Sequence, residues 1–239
     1  CGAVAVLTDD EGVRLAAGQD LGGIPVLLAE DLRTLVGPLS AAVYDSRPEQ
    51  GRRPVLFGVT GTNGKTTTTY FVNSLLAALG RTTGLIGTIE ILAGGEPIPS
   101  ALTTPESPQV HGLLALMRER GLDAAAMEVS SHAVSYRRVD GVVYDVAGFT
   151  NLTQDHLDQH GSMEEYFETK AQLFTPARSR CAVVCVDDRW GRELASRAAV
   201  PTLSLSTDGR TAADWSVQAV VRDGLGHRFE LHGPGGARL

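Results

Sequence analysis

The chain has 239 residues, 43% of them hydrophobic, a formal net charge of −7 and a pI of about 5.4. That length suggests one large or two modest domains with a sizeable core, and the acidic balance without any Lys/Arg run argues against a nucleic-acid or anionic-membrane partner. No apolar stretch is long enough to span a bilayer and no signal peptide is visible, while the odd, sparse set Cys1, Cys181 and Cys185 argues against a disulfide framework and fits a reducing cytoplasm.

Two short β-type runs, residues 3–8 and 24–29, flank a polar stretch, and a helical pattern follows from Leu32 to Tyr44. Residues 45–54, DSRPEQGRRP, read as a linker, which divides the chain into 1–50 and 51–239. About fifty residues make a core too small to stand alone, and the chain starts at Cys1 on a strand-like run and ends on GPGGARL. A fragment with both ends missing is therefore expected. Beyond the linker, VLFGVT (55–60) predicts a strand, and Thr66 to Leu79 a helix with Phe71, Val72, Leu75, Leu76 and Leu79 on one side and Gly80 behind it. Ser107-Pro108 signals the N-cap and first residue of the next helix, which Gly121 ends. Strands are expected at 123–129, 145–150 and 181–186, with Cys181 and Cys185 as core thiols, and a helix from Trp190. From Trp215 two runs split by Arg222-Asp223-Gly224 predict an antiparallel pair. The alternation implies an α/β fold with a mainly parallel sheet and a small antiparallel sheet, preceded by the tail of another α/β unit.

GVTGTNGKTTTTY (58–70) runs from strand to glycine-rich turn to helix, the order that lets backbone N–H groups and a helix N-terminus converge on phosphate oxygens. Lys65 can reach a β- or γ-phosphate and the Thr66 hydroxyl can bind Mg²⁺. The strict spacing is not met, because Val59 stands where a glycine would open the motif. Such a loop needs a carboxylate for the metal. Glu128, at the carboxyl end of an apolar strand, is placed for it, the alternative being a solvated strand end.

Within EEYFETKAQLF (164–174) a helix from Met163 would put Met163, Tyr166, Phe167 and Phe174 on one face, with Lys170 within about 20° of Met163 in the middle of it. Two readings stand: a lysine snorkelling outward along its methylenes, or one held inward for its chemistry. Upstream, Asp155 and Asp158 suit a metal site, a helix start or a turn, and His160 reads best as part of a solvated turn.

GTNGKTT (61–67), LTTPES (102–107), MEVSSH (127–132) and NLTQDHLDQHGSMEEYFETKAQLF (151–174) together resemble the Mur ligases, with order and spacing most like the tripeptide-forming branch. The resemblance runs from about residue 54 to 174, and residues 1–50 look like the tail of that family's uridine-nucleotide domain. It implies an ATP-dependent amide ligase of peptidoglycan synthesis that adds a free amino acid to UDP-N-acetylmuramoyl-L-alanyl-D-glutamate through an acyl phosphate. By position it implies that Gly61, Thr62, Asn63, Gly64, Lys65, Thr66 and Thr67 bind ATP, and that Thr66 and Glu128 hold one Mg²⁺. It further implies that Thr103, Thr104, Ser130 and Arg138 contact the UDP-linked dipeptide. His156 and Lys170 would serve a second metal site, Lys170 as the carbamate formed with CO₂; Lys65, Glu128, His156 and Lys170 are then the catalytic set. Tyr136 stands where the family often has glutamine, and Leu102 where it can have asparagine. Folylpolyglutamate synthases share the ATPase core but match TTPE and MEVSSH less well, and a non-catalytic fragment that only binds nucleotide or precursor is the other alternative. The second half of the family's central domain, 51–239 being an incomplete one, and its whole closing domain are expected to be missing here, so the chain alone is expected to be inactive.

Overall fold

The computed structural model describes residues 2–46, 52–99, 102–155, 160–209 and 211–239. The N-terminal stretch folds as β1 (Val6–Thr8), α1 (Asp10–Ala16), β2 (Val26–Leu28) and α2 (Leu32–Val43), with β1 and β2 paired in parallel as a two-stranded sheet. Both strands and α2 lie where expected; α1 occupies the stretch read only as polar, started by Asp9, whose carboxylate accepts from Gly12 N at 2.8 Å. The linker falls partly outside the described residues. On its near side α2 packs against a later helix, α4 (Ser107–Glu119), where buried His111 meets Ser46 Oγ at 2.7 Å.

All other strands join one ten-stranded sheet. In chain order these are β3 (Val55–Thr60), β4 (Thr83–Ile86), β5 (Ile91–Ala93), β6 (Glu96–Ile98), β7 (Ala124–Glu128), β8 (Tyr144–Phe149), β9 (Ser179–Cys185), β10 (Thr202–Ser206), β11 (Trp215–Asp223) and β12 (Gly226–His232). Their spatial order is β12-β11-β10-β9-β8-β3-β7-β4-β5-β6. From β4 through β11 by way of β3 the pairings are parallel; β5, β6 and β12 add antiparallel edges. The expected antiparallel pair is present, but it extends the large sheet through the β10–β11 pairing instead of forming a second one.

The remaining helices are α3 (Lys65–Ala78), α5 (Ser131–Ser135), α6 (Met163–Ala171) and α7 (Arg189–Arg197). The connection from β3 to β4 runs one way along the sheet. Those through α4, α5, α6 and α7 run the other way, so among the described residues right-handed crossovers put α3 alone on one face and these four opposite. The core lies under that second group: Val110, Met117, Phe149, Phe167, Phe174, Val184 and Leu194 are all buried. Two local expectations shift. Glu106, not Ser107, is the cap of α4, so Ser107 and Pro108 are its first two residues. The apolar side of α3 divides: Val72 and Leu76 are half-buried, whereas Phe71, Leu75 and Leu79 are 65%, 64% and 76% exposed. Cys181 and Cys185 are free thiols, half-buried on β9. No helix among the described residues is long and apolar enough to cross a membrane.

Candidate functional site

β3 and β7 are adjacent and parallel, so both deliver their carboxyl ends to one edge of the sheet. There the chain turns through Gly61 and Gly64, both at positive φ, and enters α3 at Lys65. The loop is braced from the end of β8. Thr62 N donates to Asn151 O at 2.9 Å. Asn63 N donates to Asn151 Oδ1 at 3.0 Å, and Thr153 N to Thr62 Oγ1 at 3.0 Å. Lys65 curls back over its own loop, its Nζ donating to Gly61 O at 3.0 Å and Thr62 O at 2.8 Å. Burial holds this amine below its ordinary pKa, against the pull of Glu128 and Asp155. Thr67 is exposed on the first turn.

Glu128 is not the solvated strand end that was the alternative: it is 0% exposed. Its Oε2 accepts from the Thr66 hydroxyl at 2.9 Å and the Thr88 hydroxyl at 3.0 Å, and its Oε1 from Thr88 N at 2.8 Å. The pairing of Thr66 with Glu128 places a hydroxyl and a carboxylate together beside the loop. Among the described residues no three His, Cys, Asp or Glu side chains converge as a ready-made ligand set. A hydroxyl plus one carboxylate is instead the sparse oxygen donor set that suits Mg²⁺, which retains waters and phosphate oxygens in its shell.

Lys170 points inward. It is 1% exposed on α6, its Nζ donates to Gly61 O at 2.9 Å, and it lies 4.6 Å from the centre of the Tyr166 ring. The snorkelling alternative is thus overturned by the side chain's direction. Burial first, then the nearby Lys65 ammonium, lower its pKa to about 7, with Asp155 opposing. One carbonyl, Gly61 O, therefore receives both amines. Tyr166 continues the contact network: its hydroxyl is 3.3 Å from Thr62 Oγ1 and its ring 4.9 Å from that of His160. His160 is 6% exposed, with Nε2 3.0 Å from Ser131 Oγ, so it is a buried, bonded residue and not part of the solvated turn expected of it. His156 and Asp158 lie outside the described residues. Gly161 takes a positive φ and α6 begins only at Met163, so no continuous helix joins that segment to Lys170.

The four residues expected to meet the UDP-linked substrate are differently placed. Thr103 is half-buried, 3.2 Å from the Thr88 hydroxyl. Thr104 is 1% exposed and spends its hydroxyl proton on Glu128 O at 2.9 Å, bracing β7 from within. Ser130 caps α5, accepting from Ala133 N at 3.1 Å. Arg138 Nε donates to Glu106 Oε1 at 2.7 Å, and Glu106 also takes Arg33 Nη1 of α2 at 3.4 Å. The sequence reasoning passed over Thr88, Asn151 and Tyr166. Two of these had a signal: GTIE (87–90) and TNLT (150–153) each follow a buried strand at the edge where the phosphate-type loop lies.

The chain matches the Mur ligase middle domain family over residues 59–237. It is 48% identical over 238 residues to a UDP-N-acetylmuramoyl-L-alanyl-D-glutamate–2,6-diaminopimelate ligase of Streptomyces coelicolor, covering 100% of this chain and 46% of that protein. A UDP-N-acetylmuramyl-tripeptide synthetase of Leifsonia xyli subsp. xyli is 45% identical over 236 residues, 99% of this chain and 45% of that one. Among solved structures, a UDP-N-acetylmuramoyl-L-alanyl-D-glutamate–2,6-diaminopimelate ligase superposes with a TM-score of 0.75 at 25% identity, over 92% of this chain and 45% of that one. The chain thus spans about half the length of the curated relatives it matches.

Proposed function

Because the chain belongs to the Mur ligase family, through that family's middle domain, we propose that it is the nucleotide-binding part of an ATP-dependent ligase that adds the third amino acid to UDP-N-acetylmuramoyl-L-alanyl-D-glutamate in peptidoglycan synthesis. The observation that carries the reading is convergence on one loop: Lys65, the Thr66–Glu128 pair and the buried amine of Lys170 all meet residues 61–66. The names of the relatives make 2,6-diaminopimelate the first amino acid to test, with L-lysine as the other.

In this reading the backbone of Gly61 to Thr67 and the N-terminus of α3 bind the nucleotide's phosphates. Lys65 leaves the Gly61 and Thr62 carbonyls for a phosphate oxygen, where its charge gains in value as the phosphoryl group transfers. Thr66 and Glu128 hold Mg²⁺, which when bound neutralises charge on the transferring phosphoryl oxygens. The substrate carboxylate takes the phosphoryl group, the incoming amine displaces phosphate from the acyl carbon, and the amide, ADP and phosphate result. Arg138 and Ser130 orient the anionic substrate, Arg138 exchanging its Glu106 partner for it. Thr103 adds a hydroxyl, and Thr104 acts from behind by holding β7. Lys170, with His156, serves a second metal position. Its neutral amine attacks CO₂, forms the N–C bond and releases one proton, and the resulting carbamate presents oxygen where the amine could not.

The test has two arms. Calorimetry on this chain with Mg²⁺ and ATP is expected to show binding that Lys65→Ala abolishes while thermal unfolding stays cooperative. In the protein at the length of its relatives, phosphate release is expected to require both the UDP-linked dipeptide and a diamino acid. Release driven equally well by a folate substrate, or unaffected in a folded Lys65→Ala variant, would overturn the reading.

A further inference from the structure

Thr88 lies in the turn after β4, the strand that pairs with β7 on the side away from β3. It reaches the fully buried Glu128 twice, with its N–H on Oε1 at 2.8 Å and its hydroxyl on Oε2 at 3.0 Å. A two-point contact across both oxygens fixes the plane of the carboxylate as well as its position. The Thr66 hydroxyl, also on Oε2 at 2.9 Å, approaches the same oxygen from the first turn of α3. The turn comes close to the carboxylate here: a Cβ on Gly87 would lie 2.6 Å from Glu128 Oε1, so a side chain at that position would push the carboxylate aside.

The Thr88 hydroxyl has one proton, and the carboxylate is its stronger acceptor. Thr103 Oγ1 accepts from the same hydroxyl at 3.2 Å, so the one Thr88 proton lies between two acceptors. The Thr88 hydroxyl therefore links the Glu128 carboxylate to the Thr103 side chain. We propose that Thr88 is a positioning residue: it clamps the metal-binding carboxylate Glu128 between strands and ties that carboxylate to Thr103, so that metal and substrate sides of the site are held by one side chain. The inference rests on the reading of Thr66 and Glu128 as a nucleotide-linked metal site and adds a residue that acts on it without touching metal or substrate. Partners of this outer kind cost about 10- to 100-fold in metal affinity when removed.

The test uses Mn²⁺ as the probe, followed by electron paramagnetic resonance with ADP present, on wild type, Thr88→Val, Thr88→Ala and Thr88→Ser. Val keeps the shape and loses the hydroxyl, Ala removes any steric demand, and Ser restores the hydroxyl alone. Mn²⁺ affinity is expected to fall about 10- to 100-fold in Val and Ala and to recover in Ser, while ADP binding in excess chelator stays the same in all four. Wild-type affinity in Val and Ala, or an equal loss in Ser, would overturn the role of Thr88. A parallel loss of metal-free ADP binding would show a general structural effect and also overturn it. Failure of the wild type itself to bind Mn²⁺ with ADP would sink the metal-site reading, and this inference with it, and is told apart by arising before any substitution.

Discussion

Lys170 places an amine where water cannot reach it, and the chain carries a cost for doing so. With a folded pKa of about 7 against the ordinary 10.5, the folded state holds fewer protons than the unfolded one between those two values. Stability must therefore rise with pH across that window. Below about pH 7 both states are protonated and the penalty is present in full; above 10.5 both are neutral and it is gone. At about 1.4 kcal/mol per pKa unit the penalty is on the order of several kcal/mol. Lys170→Met is expected to raise stability near neutrality and flatten the climb, measured by urea unfolding from pH 6.5 to 10 in CO₂-free buffer. Parallel curves for wild type and variant would contradict the buried-amine account. Lys65→Ala removes the second cause of the shift, the neighbouring ammonium, and is expected to move the onset of the climb to higher pH. The same neutral amine is what CO₂ requires, so ¹³C-bicarbonate should give a carbamate resonance that Lys170→Met lacks and that weakens below about pH 7.

At the scale of elements, the loop owes its shape to a neighbouring segment, and that segment to a helix cap. Asp188 starts α7 by accepting from Gly191 N at 2.7 Å, and its second oxygen accepts from Leu152 N at 2.9 Å. Leu152 stands between Asn151 and Thr153, which brace Thr62 and Asn63. Asp188→Ala loses the cap, about 1 kcal/mol, and strands the N–H of a buried residue, about 1–3 kcal/mol more. Asp188→Asn keeps one acceptor and is expected to lose roughly half as much. Urea midpoints with unchanged slope would measure this, and nucleotide affinity is expected to fall in step; a stable Asp188→Ala that binds nucleotide normally would break the link from α7 to the loop. This chain of support also marks what the sequence could disclose. Lys65, Thr66 and Glu128 were legible because strand, turn and helix signals are local, and Lys170 because helical periodicity alone centres it on an apolar face. The place of Thr88 after a buried strand was legible, but its role and that of Asp188 were not, since these depend on partners 40 and 36 residues away. The short strands β4, β5, β6 and β10 and the five-residue α5 fall below the length at which periodicity separates strand from helix. The stripe on α3 was read correctly as apolar, but periodicity says nothing of whether a face finds a partner.

That stripe is a property of the whole molecule. Parallel sheets bury both faces, yet here, among the described residues, one face carries α4 to α7 and the other only α3. Beside α3 the bare face opens as a groove of about 500 Å³ lined by Val72, Val146, Gly148, Val183, Cys185 and Leu205. Above it Phe71, Leu75 and Leu79 recur every four residues, all more than half exposed. Covering one such side chain is worth about 1.5–3 kcal/mol, so the three together form an adhesive strip. The β11–β12 hairpin adds Val220, Val221 and Phe229, each also more than half exposed at the far edge of the sheet. The chain on its own is therefore expected to bind a hydrophobic dye and to self-associate with rising concentration, as read by sedimentation velocity. Leu75→Lys with Leu79→Lys should suppress both without lowering thermal stability, because neither side chain is buried. Val72→Lys should instead destabilise, since Val72 lines the groove and is half-buried against the sheet. A wild-type chain that stays monomeric and dark to the dye at high concentration would show that this face closes over itself in solution. Equal behaviour of the Leu75/Leu79 and Val72 variants would show instead that α3 does not present the two distinct sides described.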